Sequence, residues 1–405
     1  MFCKILIEVV SNQRDMIRRK IPWMVIFSML MLATKAQAPD YNKALLEAEP
    51  QVLQLLNETL LERNGQLIFP RTESNDSLKM VSSKDWTSGF WPGILWKMYQ
   101  ASGKEIFKDK AENFTKLMEK EEWNADSHDV GFKIYSSFGN GYKNTGKDEY
   151  KNVIVQAAKT LSVRFNNKVG CIRSWNNPIW AYPVIIDNMM NLELLFEATK
   201  ITNDSTFYHI AVSHANTTLK NQYRADYSCY HVIDYDTATG GVMKKNTAQG
   251  YSDQSSWARG QAWGLYGFTM CYRETKNVRY LNQADEIANF ILKNPNLPAD
   301  LIPYWDYDVP DTSTAPRDIS AAAITASALY ELSGYSTKGR IYRKAADKIL
   351  HNIIKYYRAP INSHHGFILL HSTGHKPANS EIDVPIIYAD YYFLEALLRC
   401  KTAKS

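Results

Sequence analysis

The feature that most constrains the fold is a helical spacing of apolar residues, which returns in block after block between residues 41 and 400. Apolar side chains three or four positions apart lie on one face of an α-helix. Strand-like alternation is scarce, so the sequence predicts an all-α protein. Eleven blocks show the helical spacing, and a short segment after Asp129 would make twelve: 41–61, 89–101, 104–120, 148–164, 187–200, 205–220, 255–274, 279–293, 319–333, 340–356 and 385–400.

Two kinds of connection separate these blocks. Some are brief polar turns, such as Gly103 or residues 336–339, and brief turns join helices into antiparallel hairpins. The others are long and rich in Trp, Tyr, Gly and Pro. Helices paired in this way fit an α/α toroid, in which the long connections gather at one end and build a site. A helical-repeat solenoid is the competing fold, but the sequence has no repeat of fixed period. The long connections are residues 64–88, 121–147, 165–186, 221–254, 294–318 and 357–384.

The first 38 residues have the pattern of a signal peptide. A basic stretch at residues 18–20 precedes an apolar run at 21–33, and small residues follow around Ala36 and Ala38. The apolar run is too short to span a membrane, and no later stretch approaches the roughly 20 apolar residues that a span requires. We therefore expect an exported, periplasmic protein whose residues 39–405 form a single catalytic domain.

Composition excludes some classes of function. The 47 basic and 42 acidic residues nearly balance, so no polycationic surface for nucleic acid is indicated. Ten Trp and 25 Tyr suit stacking on sugar rings, although such residues also fill helix interfaces. The cysteines show no CxxC pairing and the histidines no HExxH pattern, so no metal and no cofactor are predicted. We expect the cysteines to behave as small buried apolar residues.

Two aspartates are candidate catalytic acids. Asp129 lies between a histidine and Gly131, ahead of a Tyr-rich segment. Asp187 is flanked by apolar residues at the start of a strongly apolar helix. A partly desolvated carboxyl group keeps its proton near neutral pH and can donate it. The alternative for both residues is helix N-capping, which is a common role for Asp at such a junction.

Two aromatic clusters are candidate binding surfaces. In residues 251–263, Trp257, Arg259 and Trp263 lie within about two helical turns, so a guanidinium and aromatic faces can converge on one ligand. Arginine can pair bidentately with a carboxylate, and the alternative is a buried structural arginine among core aromatics. The loop at 85–93 contains two Trp, including Trp91, and suits either a sugar platform or a hydrophobic plug.

Four motifs together resemble glycoside hydrolase family 88. They are WTSGFWPG at 86–93, HDVGF at 128–132, IDNMMN at 186–191 and WARGQAWG at 257–264, and they occur in the family's order. Residues 311–322 and 388–397 are also similar, so the resemblance covers nearly all of the chain after residue 38. It implies an (α/α)6 barrel and an unsaturated glucuronyl hydrolase, which removes a 4,5-unsaturated uronic acid from the non-reducing end of lyase-generated oligosaccharides.

The resemblance also implies roles for individual residues. Asp187 would protonate C4 and then activate water for attack at C5, so that the C4=C5 bond is hydrated and the resulting hemiketal opens. Asp129 would hold sugar hydroxyls and stabilise positive charge. Trp91 and Trp175 would stack further along the sugar, and Lys376 lies where some members recognise a sulfate. The positions that match the uronate subsite are His231, Gln249, Trp257, Arg259 and Trp263, with Thr247 as a weaker candidate.

Three alternative functions stay open at this point. An unsaturated rhamnogalacturonyl hydrolase would share the fold and act on pectin fragments, a polysaccharide lyase would create the double bond, and a non-catalytic carbohydrate-binding α/α protein would need only the aromatic loops. The expected partner is an unsaturated uronyl oligosaccharide from a polymer such as a glycosaminoglycan, ulvan, gellan or xanthan. We expect a monomer or homodimer, with no nucleic acid and no membrane span.

Overall fold

All eleven predicted blocks are helical in the computed structural model, which describes residues 41–403. The interval predicted to be a signal peptide lies outside this range. The twelfth predicted helix is also present after Asp129, as two short helices joined by one π-helical turn at Tyr135–Gly139. The helices are α1 (Tyr41–Glu62), α2 (Phe90–Ser102), α3 (Glu105–Lys116), α4 (Val130–Ile134), α5 (Asn140–Thr145), α6 (Asp148–Ser162), α7 (Asn188–Thr202), α8 (Ser205–Asn221), α9 (Ala258–Thr275), α10 (Val278–Lys293), α11 (Ile319–Leu332), α12 (Gly339–Tyr356) and α13 (Ile387–Ala403).

The helices form two concentric layers. The inner layer is a closed ring in which α2, the α4–α5 unit, α7, α9, α11 and α13 each contact the next, and α13 returns to contact α2. Helices α3, α6, α8, α10 and α12 each follow an inner helix and pack outside it, while α1 packs on α13. This is the six-hairpin (α/α)6 barrel that the sequence predicts.

The amino-acid pattern explains which helices lie inside. Inner helix α11 is buried along nearly its whole length and is rich in Ala and Ser, so neighbouring helices can approach from both sides. Outer helix α10 buries only one face, with Tyr280, Ala284, Ile287 and Ile291 at three- and four-residue spacing. A helix covered on most sides has few charged residues on any face, whereas an outer helix needs one apolar stripe.

Nine short strands lie in four of the six long connections, and the all-α prediction did not include them. They pair antiparallel as β1–β2, β3–β4, β5–β6–β7 and β8–β9. Their shortness explains why the sequence pattern does not reveal them. The strands are β1 (Phe69–Ser74), β2 (Ser77–Val81), β3 (Phe165–Asn166), β4 (Cys171–Ile172), β5 (Pro183–Ile185), β6 (Val232–Tyr235), β7 (Val242–Asn246), β8 (Ser372–His375) and β9 (Ser380–Val384).

An ion-pair network links the inner helices away from the long connections. Lys97 of α2 lies 2.9 Å from Glu395 of α13, and Arg273 of α9 lies 2.6 Å from Glu193 of α7 and 2.8 Å from Glu331 of α11. Four of these side chains are at most 14% exposed, and that of Arg273 is 25% exposed. Because each partner comes from a different inner helix, the pairs connect the ring across its interior.

The cysteines behave as predicted within residues 41–403. Cys171, Cys229, Cys271 and Cys400 are buried and form no disulfide. Burial raises the pKa of the Cys229 thiol to about 12. In the same part of the chain, no helix has both the length and the apolar character needed to cross a bilayer.

Candidate active site

A cavity of about 300 Å³ lies where the long connections meet the N-terminal ends of the inner helices. Five of the six long connections contribute to its wall, together with the beginnings of α7, α9 and α13. The prediction that these connections gather to form a site is therefore confirmed. The wall consists of Arg71, Trp86, His128, Asp129, Trp175, Ile185, Asp187, Ala248, Gln249, Arg259, Gly374, His375, Ala378, Ser380, Glu381 and Tyr388.

Asp187 stands at the N-cap position of α7, yet its side chain makes no capping hydrogen bond. The residue is only 8% exposed, and its Oδ2 atom is buried without a hydrogen-bond partner. By contrast, Asp318 caps α11 by accepting a hydrogen bond from the Ser320 amide. The capping alternative for Asp187 is therefore wrong, and its carboxyl group is left available to the cavity.

Burial raises the pKa of Asp187 to about 7. The charge of Arg259 opposes this rise in pKa, whereas the nearby charge of Asp129 adds to it. The indole N–H of Trp263 also lowers the pKa. A carboxyl group with a pKa near neutrality can both donate and accept a proton under ordinary conditions. Asp187 thus has the property that the sequence context predicted.

The raised pKa predicts how stability depends on pH. An unfolded Asp has a pKa of about 3.9, so between about pH 4 and about pH 7 Asp187 carries a proton in the folded chain but not in the unfolded one. The free energy of unfolding therefore decreases as pH rises through this range, by up to about 4 kcal/mol. Asparagine cannot ionise. We expect Asp187→Asn to match the parent near pH 4 and to exceed its stability at about pH 8.

Urea unfolding of both proteins across this pH range measures the difference. The buried histidines affect the two proteins equally and cancel in the comparison. A stability difference that stays constant from about pH 5 to about pH 8 would contradict the raised pKa of Asp187.

His231 is held as a neutral hydrogen-bond donor beside Asp187. Its Nδ1 atom accepts hydrogen bonds from the backbone amides of Ala248 and Gln249, each at 3.1 Å. The ring proton must therefore sit on Nε2, which lies 3.7 Å from Oδ2 of Asp187. Burial lowers the pKa of His231 well below its usual range. The ring of Trp257 stacks on it with centroids 4.5 Å apart, which fixes the direction of the N–H group.

Asp129 lies on the same wall and also makes no capping hydrogen bond, so the capping alternative is wrong for this residue as well. Its Oδ2 atom accepts a hydrogen bond from the Ser127 hydroxyl at 2.9 Å, and its Oδ1 atom lies 3.4 Å from Nε2 of His128. Burial lowers the pKa of His128. Nδ1 of His128 accepts from the Asn191 amide at 3.1 Å, so Nε2 carries the proton and points to Asp129.

Asn191 joins the two segments that carry the acids. From α7 its Oδ1 atom accepts the Phe132 backbone N–H at 2.8 Å, while its Nδ2 atom contacts His128. Gly131 permits this approach, because a Cβ atom there would lie 2.5 Å from Asn191 Oδ1. The asparagine and glycine of two separate motifs therefore fix the starts of α4 and α7 relative to each other.

The side chain of Arg259 is held by buried hydrogen bonds, and Arg259 also lines the cavity. Its Nη1 atom donates to Asp318 at 2.7 Å and to the Thr373 carbonyl at 2.6 Å, and its Nη2 atom donates to the Gly374 carbonyl at 2.5 Å. The guanidinium carbon lies 4.6 Å from the Trp257 ring. Asp318 and two carbonyls take three of the five N–H groups of the guanidinium, so the pairing of Arg259 with a ligand carboxylate stays a prediction.

Several predicted binding residues lie outside the cavity wall. Trp91 is fully buried and packs on Phe114 with centroids 5.9 Å apart, so the hydrophobic-plug alternative is right for it. Trp86, five positions earlier, lines the cavity instead. Trp263 is also fully buried and contacts Phe132, so its ring offers no surface to a sugar. Its effect on Asp187 comes from the protein interior and not from the cavity.

Three further predicted residues flank the wall without forming it. The Thr247 hydroxyl accepts the Gly250 amide at 2.7 Å and shapes the turn that carries Gln249. Trp257 packs on His231, as described above. Lys376 is partly buried next to His375, which does line the cavity. Of the predicted residues, the wall itself contains Asp129, Trp175, Asp187, Gln249 and Arg259.

Sequence reasoning missed one charged part of the wall. Arg71 pairs with both carboxylate oxygens of Glu381, at 2.6 and 2.8 Å, and with Asp85 at 2.7 Å. Glu381 lies 310 positions away, so no local signal could connect the two residues. Tyr388 lies in a segment that the resemblance covers, but nothing in the pattern placed it in the site. Within residues 41–403, no cluster of His, Cys, Asp and Glu is arranged to hold a metal ion.

Comparison with known proteins places this site in a family context. Residues 64–395 match the model of Glycosyl Hydrolase Family 88. An unsaturated glucuronyl hydrolase from Formosa agariphila is 49% identical over 371 residues, which cover 90% of this chain and 92% of that protein. The crystal structure of an unsaturated glucuronyl hydrolase specific for heparin is 43% identical, with a TM-score of 0.86 over 90% of this chain and 97% of that one. A Streptococcus agalactiae unsaturated glucuronyl hydrolase variant complexed with dGlcA-GalNAc6S is 29% identical, with a TM-score of 0.72 over 90% and 96%.

Proposed function

We propose a mechanism for this chain, which belongs to glycosyl hydrolase family 88 and removes an unsaturated uronic acid from oligosaccharides. In this mechanism the enzyme hydrates the C4=C5 bond of that sugar, and Asp187 transfers the protons. The observation that carries this proposal is a buried carboxyl group on a cavity wall whose pKa is raised to about 7. Such a group serves first as a proton donor and then, once ionised, as a base.

The proposed reaction needs only this chain and water. Asp187 donates its proton to C4, and positive charge develops at C5 and the ring oxygen. The ionised Asp187 then takes a proton from a water molecule as the water oxygen bonds to C5, which restores the protonated carboxyl group. The product is a hemiketal that opens to the keto sugar and releases the shortened oligosaccharide. Because no displacement occurs at the anomeric carbon, the carboxylate spacing rule for ordinary glycosidases does not apply.

The neighbours of Asp187 suit its two states. The Nε2 atom of His231 lies 3.7 Å from Oδ2 of Asp187, beyond hydrogen-bond distance, and a small approach would let it donate to the carboxylate when Asp187 is ionised. Asp129 is oriented by Ser127 and His128, so its oxygens can accept hydrogen bonds from sugar hydroxyls. Its negative charge would also stabilise the positive charge that develops on the sugar ring.

The size of the cavity supports attack at a chain end. A volume of about 300 Å³ is at the small end of the range for ligand sites and suits a terminal sugar better than the middle of a polymer. Trp86 and Trp175 offer aromatic surface within the wall, and Gln249 offers an amide. All of these side chains belong to one chain, so the proposal holds whether the enzyme is a monomer or a homodimer.

We propose a glycosaminoglycan-derived unsaturated disaccharide as the substrate. Support comes from the relatives, since one is described as specific for heparin and another was complexed with dGlcA-GalNAc6S. Lys376 lies beside the cavity and is the candidate for a charged substituent on the second sugar. Disaccharides that differ only in sulfation test this part of the proposal through their relative values of kcat/KM.

Ultraviolet absorbance of the conjugated double bond tests the proposed function. Purified protein is mixed with lyase-generated unsaturated disaccharides, and we expect the absorbance to fall as the double bond is hydrated. A rise on intact polymer would identify a lyase, and turnover restricted to pectin fragments would identify a rhamnogalacturonyl hydrolase. Binding without any change in absorbance would leave a carbohydrate-binding protein.

The N-terminal pattern supports a proposal about location. We propose that residues 1–38 direct export to the periplasm, because a basic stretch, an apolar run and small residues follow one another there. Cell fractionation followed by N-terminal sequencing of the mature protein tests this. A cytoplasmic protein that retains residues 1–38 would contradict it.

A further inference from the structure

A second cavity, of about 390 Å³ and open to the surface, lies beside the β3–β4 hairpin. Two arginines, Arg164 and Arg173, contribute to its wall together with Asn176 and Tyr182. None of these residues belongs to the wall of the active-site cavity. The feature that needs explanation is the pair of adjacent guanidinium groups.

Arg164 is buried, and neutral oxygens satisfy its donors. Its Nε atom donates to the Arg173 carbonyl at 2.8 Å, and its Nη2 atom donates to the Ser174 carbonyl at 3.3 Å and to Oδ1 of Asn176 at 3.1 Å. Its Nη1 atom donates to the Ala125 carbonyl. Within residues 41–403 no carboxylate forms an ion pair with it, although the charges of Asp129 and Asp126 act on it from a greater distance than an ion pair.

Arg173 has a free guanidinium group next to this charge. Its side chain makes no hydrogen bond or ion pair with any residue in the described range, and its Nε atom is buried without a partner. The centroid of the Tyr182 ring lies 5.9 Å from its guanidinium carbon. Burial and, after it, the charge of Arg173 lower the pKa of Arg164, while Tyr182, Asp129 and Asp126 oppose this. A buried donor without a partner and two like charges are both unfavourable unless an anion binds.

The position of the arginines relates this cavity to the catalytic one. Arg173 and Asn176 line the second cavity, while Trp175, between them in the chain, lines the active site. Ser174 binds the segment back to the barrel, since its hydroxyl accepts the Ile185 amide at 2.9 Å. One four-residue segment therefore separates the two cavities. A sugar chain that passes Trp175 would bring its next charged group toward Arg173.

We propose that the Arg164–Arg173 cavity binds an oxyanion, either carboxylate or sulfate, on a sugar beyond the disaccharide that occupies the active site. This inference rests on the proposed function. The planar fork of Arg173 can hold two oxygens of such a group, and the charge of Arg164 adds to the attraction. Longer charged oligosaccharides then bind more tightly than disaccharides.

Steady-state kinetics of Arg173→Gln tests the inference, with Lys168→Gln as the matched control. Lys168 is exposed in the same hairpin, outside the cavity wall, and loses the same charge. We expect Arg173→Gln to raise KM for an unsaturated tetrasaccharide about 10-fold, the loss of one charge-assisted contact, with kcat unchanged. KM for the disaccharide should not change, and Lys168→Gln should behave like the parent on both substrates.

The remaining outcomes separate failure of this inference from failure of the proposed function. Equal KM values for Arg173→Gln and the parent on the tetrasaccharide overturn the cavity assignment. An equal rise in the KM of Arg173→Gln for both substrates also overturns it, because it would mean that the substitution disturbs Trp175. A parent protein that consumes no unsaturated disaccharide overturns the proposed function itself. A selective KM effect that disappears on desulfated tetrasaccharide identifies sulfate as the bound group, and one that persists identifies carboxylate.

Discussion

Replacing Asp187 by asparagine is expected to reduce kcat between about 10²- and 10⁴-fold, which is the range for removal of a positioned proton-transfer group. The amide is similar in size to the carboxyl group but cannot donate a proton to C4 or accept one from water. Since the same group serves in both steps, the effect should lie toward the upper end of that range. Binding of the disaccharide should persist, because neither Trp175 nor Gln249 depends on the charge of Asp187.

The absorbance assay measures kcat, and calorimetric titration of the variant with the disaccharide measures the retained affinity. Asp204→Asn provides the control, because Asp204 is an exposed helix-capping residue beyond the opposite end of α7 from Asp187 and asparagine caps equally well. A kcat within about twofold of the parent would remove Asp187 from the mechanism, since any loss of proton transfer exceeds that.

Replacing Asp318 by asparagine is expected to cost about 3–5 kcal/mol of stability, because it leaves the Arg259 charge buried and unpaired. The two side chains are 1% and 0% exposed and their ion pair measures 2.7 Å. Activity should fall as well, because Arg259 holds the Thr373 and Gly374 carbonyls and so fixes the hairpin that carries His375 in the cavity wall. Urea unfolding measures the change in stability.

Asp204→Asn is again the matched substitution for this experiment. Asp204 and Asp318 both cap a helix by accepting the backbone amide two residues ahead, at 2.8 and 3.1 Å. Only Asp318 has an ion-pair partner, so the difference between the two variants isolates the pair with Arg259. Asparagine keeps the cap at both positions, so equal changes in stability for the two variants would show that the ion pair with Arg259 contributes nothing measurable.

The sequence was sufficient for the barrel because the signal for each helix is local. Apolar residues at helical spacing mark every helix, and alternating short and long connections indicate how the helices pair. The local context of Asp187 was also informative, since apolar neighbours at the start of a buried helix are what desolvate its carboxyl group. The same context placed Asp129 near a histidine that the structure shows to orient it.

The remaining features depend on contacts between distant parts of the chain. Trp86 and Trp91 lie five positions apart, and only the packing of α2 against Phe114 decides that Trp91 is buried while Trp86 lines the cavity. Glu381, a partner of Arg71, lies 310 positions away in the chain, and Asp318, the partner of Arg259, lies 59 positions away. Strands of two to six residues are too short for a recognisable alternation of apolar and polar residues, so the sequence did not predict their hairpins.

The closed inner ring has a consequence for how the chain reaches its native state. The seam between α2 and α13 joins residues 298 positions apart, as the Lys97–Glu395 pair shows. Until α13 is available, α2 and α11 have no neighbour on their facing sides and their apolar surfaces stay exposed. Such long-range closure slows folding and favours aggregation of incomplete chains. We therefore expect the inner ring to close only after the last helix has been synthesised. A chain that lacks its C-terminal segment would then form an open, aggregation-prone intermediate and not a smaller working enzyme.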